Sequence, residues 1–173
     1  MSVSLNSDGT VPRIGFVPLA RPTFDMALAA QMTAQARAAL LQSGALSLSG
    51  PDELVMDLPG ARAVASALAG AAPDLLVVFQ ASFADSTMVV ELARTVQAPV
   101  LLWAVPEERT GGRLRLNSFC GINLGGHGLR RAGIRYDYLY AAPDDPRAVE
   151  KVLIQARAGR AARLLRGARS EEH

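Results

Sequence analysis

The sequence predicts an α/β fold: a three-layer sandwich whose five-stranded, parallel, flavodoxin-like (Rossmann-like) sheet carries helices on both faces. Strand-like and helix-like segments alternate five times along the chain, joined by short connections. The central strand-like segments, DLLVVFQA (74–81) and APVLLWAVP (98–106), are apolar throughout, as in strands covered on both faces. With five strands, the flavodoxin order 2-1-3-4-5 is the expected arrangement.

The first half of the chain is predicted to contain two strands and two helices. RIGFVPLA (13–20) is predicted to be a strand that ends at Pro18, and MALAAQMTAQARAALLQSG (26–44) has the spacing of a helix. ELVMDLP (53–59) is predicted to be the second strand. GARAVASALAGAAP (60–73) is predicted to be the second helix, ended by glycine and proline.

The second half continues the alternation. DSTMVVELARTVQ (85–97) is predicted to be a helix with Asp85 or Ser86 as its N-cap. RTGGRLRLN (109–117) is a loop or short hairpin, and RYDYLYAAP (135–143) is an aromatic strand. A long final helix starts at about Pro146, a residue that suits a first helical turn.

Length and composition indicate one domain. We expect it to cover residues 13–167, between a disordered leader at 1–12 and a disordered tail at 168–173. The net charge of +2 is too small to indicate nucleic acid, and the arginines of the last helix recur every three residues, so they form no single stripe. A single cysteine, Cys120, excludes an intramolecular disulfide and a four-cysteine zinc site.

The same features predict where the protein works. The N-terminus has no apolar core of a signal peptide, and no apolar run reaches the roughly 18 residues of a membrane span. We therefore expect a cytoplasmic protein that binds neither membrane nor nucleic acid.

The stretch NSFCGINLGGHGLRRAG (117–133) packs five glycines around one histidine. It lacks the spacing of a dinucleotide fingerprint and the Gly-Lys-Ser/Thr ending of a Walker A loop. A helix capped by Asn117 or Ser118, with its glycines in close contact with neighbouring elements, explains it better. His127 is interpreted as a packing residue, with a functional role left open.

The candidate ligand site consists of the segments that follow strands 1, 3 and 4, because ligands bind such sheets beyond the carboxyl ends of the strands. These segments, RPTFD (21–25), QASFADST (80–87) and PEERTGGRLRLNS (106–118), mix amides, carboxylates, guanidinium groups and aromatic rings, which suits a sugar. The alternative is that the loops are polar because they are exposed, and that one carboxylate only caps a helix. The residues concerned are Arg21, Asp25, Gln80, Ser82, Asp85, Glu107, Glu108, Arg109 and Asn117, with Phe24, Phe83 and Trp103 nearby.

Several stretches of the chain resemble a known family. ARPTFD, QASFADSTMVVELA, PVLLWAVPEERTGGRLRLNSFCGINLGGHGLRRAG and YLYAAPDD are similar to the N-terminal domain of L-fucose isomerase-like proteins, the group that includes L-fucose and L-arabinose isomerases. The similarity covers about residues 13–165, and the run from Leu101 to Gly126 is its most specific part.

The resemblance implies a flavodoxin-like domain of a metal-dependent aldose–ketose isomerase, one that reaches into a neighbouring subunit's active site and helps to hold the sugar. By the family's motifs, Arg21 is the first candidate for that contact. The Mn²⁺ ligands of such enzymes lie in later domains, so the resemblance implies no catalytic residue, metal ligand or cofactor in this chain. The weaker candidates for sugar contact are Gln80, Phe83, Asp85, Trp103 and Asn117.

Two functional hypotheses follow. In the first, the chain is a stand-alone N-terminal domain truncated before the metal-binding domain. It contributes sugar binding and oligomer assembly, and is at most one component of an isomerase whose metal lies on a separate domain. In the second, it is a non-catalytic binding or regulatory module for a carbohydrate or another small polar ligand. We expect a sugar or polyol ligand and a homo-oligomer, because the last helix carries apolar residues such as Leu164 and Leu165.

Overall fold

The computed structural model describes residues 11–108 and 110–170. The predictions made for Arg109, for most of the leader and for residues 171–173 lie outside that range. Within it, strands and helices alternate as predicted, and their bounds are β1 Arg13–Leu19, α1 Met26–Gln42, β2 Ser47–Ser49, α2 Leu58–Ala71, β3 Leu75–Gln80, α3 Ser86–Val96, β4 Val100–Ala104, α4 Ser118–Arg131, β5 Tyr136–Tyr140 and α5 Pro146–Ser170.

All five strands form one parallel sheet in the order β2-β1-β3-β4-β5, which confirms the predicted flavodoxin order. Two buried clusters lie on its opposite faces. One joins the sheet to α1 and α5 and contains Phe16, Phe79 and Trp103. The other joins it to α2, α3 and α4. The central strands β3 and β4 are completely buried, as continuously apolar strands must be.

The second strand lies elsewhere than predicted. The paired segment is Ser47–Ser49, beside β1, whereas Val55 in the predicted segment makes only an isolated bridge to Leu19. The apolar run at 53–59 was misleading because its end belongs to a helix: the Asp57 carboxylate accepts a hydrogen bond from the Gly60 amide at the start of α2. Two of the three residues of β2 are serines, so it has no apolar signature.

The first strand also runs past its predicted end. β1 continues through Pro18 to Leu19. β2 pairs with β1 only from Arg13 to Gly15, so at Pro18 the strand pairs with β3 and not with β2, and the missing proline amide lies on the side away from β3.

The final helix is fastened to the amino ends of the central strands. Asp74, only 1% exposed, accepts hydrogen bonds from the Arg13 amide at 2.8 Å and from Nε of Arg163 at 2.7 Å. Gly159 lets the helix approach so closely that a Cβ atom there would lie 2.0 Å from the Asp74 carbonyl oxygen. α5 extends to Ser170, past the predicted domain end at residue 167, and Leu164 and Leu165 near its end are exposed, as expected.

The glycine-rich stretch is the closely packed helix that the sequence predicts. A Cβ atom at Gly121 would meet the Gln80 side chain, and one at Gly126 would meet the ring of Tyr136. Gly125 and Gly128 face α3 in the same way, through contacts with Val89, Ser86 and Val90. The four glycines therefore let α4 lie close to β3, α3 and β5 at once.

None of the helices within the described residues combines the length and apolar character that crossing a membrane requires.

Candidate functional site

The loops after β1, β3 and β4 meet at the carboxyl edge of the sheet, as the sequence predicts. The Arg21 amide donates to Oγ of Ser82 at 2.9 Å, which joins the first loop to the second. The Phe83 amide donates to the Leu116 carbonyl at 2.7 Å, which joins the second to the third. The Asp25 amide donates to the Arg115 carbonyl at 3.0 Å and closes the ring of contacts. Three separate segments thus behave as one surface.

Arg21 presents its guanidinium group on that surface. The group lies 5.0 Å from the centroid of the Phe83 ring, within the range of a cation–π contact. Its Nη2 atom is 3.7 Å from Oδ2 of Asp85, and the two side chains are 43% and 50% exposed. An exposed ion pair of that length holds the guanidinium weakly, so its donors remain available to a ligand.

A small cleft of about 210 Å³ opens beside this guanidinium group. It lies between the first loop and the N-terminal ends of α2 and α3, and Asp57, Leu58 and Thr87 help to line it together with Arg21 and Asp85. Helix N-termini carry partial positive charge, so the cleft combines that charge with one guanidinium group and two carboxylates. It is a polar cleft at the edge where such sheets bind ligands.

Asp85 has a structural role as well as a position in the site. Its Oδ1 accepts hydrogen bonds from the amide and the hydroxyl of Thr87, both at 3.2 Å, and so caps α3. The predicted cap is confirmed. Only Oδ2, which faces Arg21, is left for any other interaction.

Two arginines that the sequence-based candidates omitted fix the first loop. Nε and Nη2 of Arg115 bind Oδ2 of Asp25 at 3.0 and 2.7 Å. Arg113 donates to the Thr23 carbonyl at 3.0 Å and lies 5.5 Å from the centroid of the Phe24 ring. Their partners are ninety residues away in sequence, so no local pattern could have identified them.

The pKa of Asp25 is lowered from its ordinary value of 3.8 by this arrangement. The largest cause is the hydrogen bond from the Leu28 amide, which Asp25 accepts as the N-cap of α1, and the next is the hydrogen bond from Arg115. Both favour the charged carboxylate, so Asp25 joins the first turn of α1 to the third loop in its ionised form.

Asn117 is the N-cap residue of α4, but its side chain does not cap the helix. Its backbone is left-handed, at φ 51°, and its side chain makes no capping hydrogen bond with any described residue. The Glu107 carboxylate instead accepts the amides of Leu116 and Asn117, at 2.9 and 2.6 Å. The predicted N-cap position is confirmed, but the predicted side-chain capping oxygen was wrong, because Glu107, ten residues earlier, holds this turn.

Ser118, the other predicted cap, is used for a different purpose. Its buried hydroxyl accepts the Val105 amide at 3.0 Å and donates to the carbonyl oxygen of Gln80. The hydroxyl therefore ties the ends of β3 and β4 to α4.

Gln80, the last residue of β3, has a completely buried side chain. Neither Nε2 nor Oε1 has a hydrogen-bond partner among the described residues. The amide faces the first turn of α4, where a Cβ atom at Gly121 would lie 2.7 Å from Oε1. A buried amide without a partner costs about 1–3 kcal/mol of folding stability. Packing alone does not explain why a polar side chain occupies this position.

Trp103 does not reach the site. It is completely buried on the face covered by α1 and α5, and its indole Nε1 donates to the Ala141 carbonyl at 3.0 Å. Its ring packs edge to face against Phe79, with the centroids 5.2 Å apart. The structure therefore brings together Arg21, Phe83 and Asp85. Asn117 follows Leu116, whose carbonyl accepts a hydrogen bond from the Phe83 amide. Gln80 is buried against α4, and Trp103 lies in the core.

His127 is exposed on α4 and is not a buried packing residue. It lies in the half of α4 that leads away from the carboxyl edge, so the structure separates it from the three loops. Cys120, in the first turn of α4, is also exposed.

The side chains present do not fit the Mn²⁺ ion that the family resemblance implies for full-length members. Among residues 11–108 and 110–170, no three His, Cys, Asp or Glu side chains come together to hold a metal ion. Asp25 and Asp85 are each bound to other groups of the chain, as described above.

The fold and this edge define a flavodoxin-like α/β domain with a polar cleft at the carboxyl end of its sheet, and comparison with known proteins identifies its family. Residues 15–166 match the family described as "Fucose/sulfoquinovose isomerase, N-terminal domain". The chain belongs to this family, and the resemblance recognised in the sequence is confirmed.

Several curated relatives are sulfoquinovose isomerases. The protein from Priestia aryabhattai is 28% identical over 140 residues, which is 81% of this chain and 31% of the relative. That from Clostridium sp. (strain MSTE9) is 26% identical over 149 residues, 85% of this chain and 32% of the relative. A shorter match, to Alkalicoccus urumqiensis, is 35% identical over 80 residues, 46% of this chain and 18% of the relative. The chain thus spans about a third of the length of the first two relatives.

Proposed function

We propose that this domain holds a sugar at the carboxyl edge of its sheet and supplies that contact to an aldose–ketose isomerase. The observation that carries the proposal is the Arg21 guanidinium, which lies over the Phe83 ring and faces a cleft with only a 3.7 Å ion pair to hold it. A planar group with five N–H donors suits sugar hydroxyls, and also an anionic substituent on a sugar.

The surrounding residues suit the same ligand. Phe83 and Phe24, whose ring centroids are 6.1 Å apart, position Arg21 and Arg113 through cation–π contacts at 5.0 and 5.5 Å, so that guanidinium donors are held at this edge. Asn117 adds an amide that its helix does not use, and Oδ2 of Asp85 adds an acceptor. Gln80 would contribute only through a water molecule or after a movement of the loops, because its unpartnered amide is completely buried against the first turn of α4.

The chemistry of isomerisation would come from outside these residues. The relatives that carry the isomerase name are about three times as long as the stretch they share with this chain. We therefore assign this domain sugar positioning and assembly with further copies, and assign the metal to a separate domain. The non-catalytic alternative differs in one respect: binding would then serve recognition alone, with no metal-bearing partner.

An amide NMR titration tests the proposal directly. The chain is titrated with L-fucose, L-arabinose, their polyols and sulfoquinovose, with and without Mn²⁺. Metal-independent shifts clustered on residues 21–25, 80–87 and 110–118 are the expected result. Arg21→Ala should weaken binding about tenfold or more, whereas Arg94→Ala, an exposed arginine at the end of α3, should leave it unchanged.

The outcomes separate the alternatives. Absence of shifts with every sugar, or equal affinity of Arg21→Ala and the wild type, would refute sugar binding at this edge. If binding is seen, adding a metal-bearing domain of a relative distinguishes an isomerase component from a recognition module: only the component would restore turnover, and only in a form sensitive to Arg21→Ala.

A further inference from the structure

A cleft of about 540 Å³ opens at the amino ends of β4 and β5, at the opposite end of the sheet from the candidate sugar site. Its walls come from three parts of the chain: the connection before β4 at residues 97–100, the start of β5, and α5 with Gln155 and Arg166. The volume falls in the range of small-molecule sites, about 300–1,000 Å³. None of the functions assigned above uses this cleft, which we call the amino-end cleft.

Two arginines of the amino-end cleft have no partner among the described residues. Arg135, just before β5, and Arg166, near the end of α5, are both exposed, and neither forms a hydrogen bond or an ion pair with any described residue. Arg163, about one turn earlier on α5, differs from them because its Nε donates to the buried carboxylate of Asp74 at 2.7 Å. Arg135 and Arg166 thus bring two guanidinium groups from separate segments to one cleft.

The negative charge at the cleft is already compensated. Asp137 is the only carboxylate that the described residues contribute to its walls, and its Oδ2 lies 2.8 Å from Nε2 of Gln155 and 3.0 Å from Nζ of Lys151. Its Oδ1 accepts the Tyr138 amide at 2.7 Å. The C-terminal end of α3, at Gln97, adds a partial charge of about −0.5. Since Lys151 offsets Asp137, the two guanidinium groups leave the cleft with a net positive charge.

We propose that the amino-end cleft binds a small molecule that carries a phosphate monoester. A positively charged cleft concentrates anions, and guanidinium groups bind phosphate oxygens through pairs of parallel hydrogen bonds. A phosphate monoester has a charge of about −1.5 to −2 at neutral pH, which matches the two arginines. The volume of the cleft leaves space for the organic part of the ligand. This second site goes beyond the proposed function and does not depend on it.

An amide NMR titration of the full 173-residue chain tests the amino-end cleft. The probes are inorganic phosphate and glycerol 3-phosphate at neutral pH, with methanesulfonate as a singly charged control and with the ionic strength held constant by chloride. Both phosphates should shift the amides of the cleft, and glycerol 3-phosphate should bind more tightly because its organic part also contacts the walls. Methanesulfonate should bind about tenfold more weakly or less. The amides expected to shift are those of residues 97, 98, 100, 135–137, 155 and 166.

Variants that remove one charge each identify the binding groups. Arg135→Gln and Arg166→Gln should each raise the dissociation constant for glycerol 3-phosphate about tenfold or more, because each removes charged hydrogen bonds to the phosphate. Arg157→Gln is the matched control. Arg157 is also an exposed arginine of α5, but it lies at a different surface, beside Val11 and Pro12, so its loss should leave the dissociation constant unchanged.

Three results would overturn the proposal. The first is the absence of shifts at the cleft with both phosphates. The second is equal affinity of Arg135→Gln, Arg166→Gln and the wild type, which would mean that phosphate binds exposed arginines elsewhere. The third is glycerol 3-phosphate binding no more tightly than inorganic phosphate, which would exclude an organic part in the cleft. Circular dichroism checks that each variant is folded. Sugar binding is followed at residues 21–25, 80–87 and 110–118, so either site can fail without the other.

Discussion

Replacing Gly159 by alanine tests how α5 packs on the sheet. A Cβ atom there would lie 2.0 Å from the carbonyl oxygen of Asp74, whereas ordinary van der Waals contact begins at 3.4 Å. A backbone atom cannot rotate away as the end of a side chain can. The helix would therefore have to move off the strands by about 1 Å, in an interior packed as densely as a crystal.

The size of the effect follows from three contributions. Alanine favours the helix over glycine by about 1 kcal/mol. Forcing extra volume into a packed contact costs about 1–3 kcal/mol. Moving α5 also lengthens the 2.7 Å hydrogen bond from Arg163 to the buried Asp74 carboxylate, and such a charged hydrogen bond contributes about 1.5–3 kcal/mol. The unfolding free energy of Gly159→Ala should therefore fall by about 3 kcal/mol.

Urea denaturation followed by circular dichroism measures this change, with Gly70→Ala as the matched control. Gly70 also lies in a helix, but a Cβ atom there would meet nothing within 4 Å in the described chain. That variant should gain up to about 1 kcal/mol. The opposite signs of the two substitutions are the result to look for, and Gly159→Ala matching or exceeding the wild type would refute the reasoning.

Three further predictions concern the candidate site. Ser118→Ala removes a hydroxyl that serves two backbone groups and should cost about 2 kcal/mol in urea denaturation, whereas exposed Ser66→Ala should cost almost nothing. Gln80→Met replaces a buried amide without a described partner, so calorimetry should show about 1 kcal/mol more stability together with weaker sugar binding; lost stability would contradict this. For Asp25 the folded pKa is lowered, so its contribution is present above pH 3.8 and is lost as pH falls through the folded pKa; an NMR titration should give a midpoint below 3.8 that rises in Arg115→Ala, and an unmoved midpoint would refute the assigned cause.

The sequence predicted the fold because the decisive signals are local. Continuous apolar runs at β3 and β4 require cover on both faces, and the alternation of strands with helices leaves little choice but a parallel sheet. β2 was misplaced because it lacks such a local signal. Its Ser-Leu-Ser sequence has no apolar period, and only its pairing with β1 makes it a strand.

The sequence predicted where the candidate site lies, but not most of the hydrogen bonds between its side chains. Parallel topology brings the three loops together whatever their composition, so it could be predicted that Arg21 and Asp85 lie near each other. The partners of Asp25 and Asn117 could not be predicted, because Arg115 and Glu107 reach them through the folded loops. Trp103 lies in the core because β4 is covered on both faces, and its side chain points to the face under α1 and α5 and not to the loops.

The four glycines of α4 bear on the order in which the molecule folds. Each costs the isolated helix about 1 kcal/mol relative to alanine, so a peptide of residues 117–133 should have almost no helix in water. α4 can then form only against β3, α3 and β5, which must already be in place. Substitutions within it should speed unfolding and leave the folding rate nearly unchanged. The loop that α4 anchors would be among the last parts of the chain to become ordered.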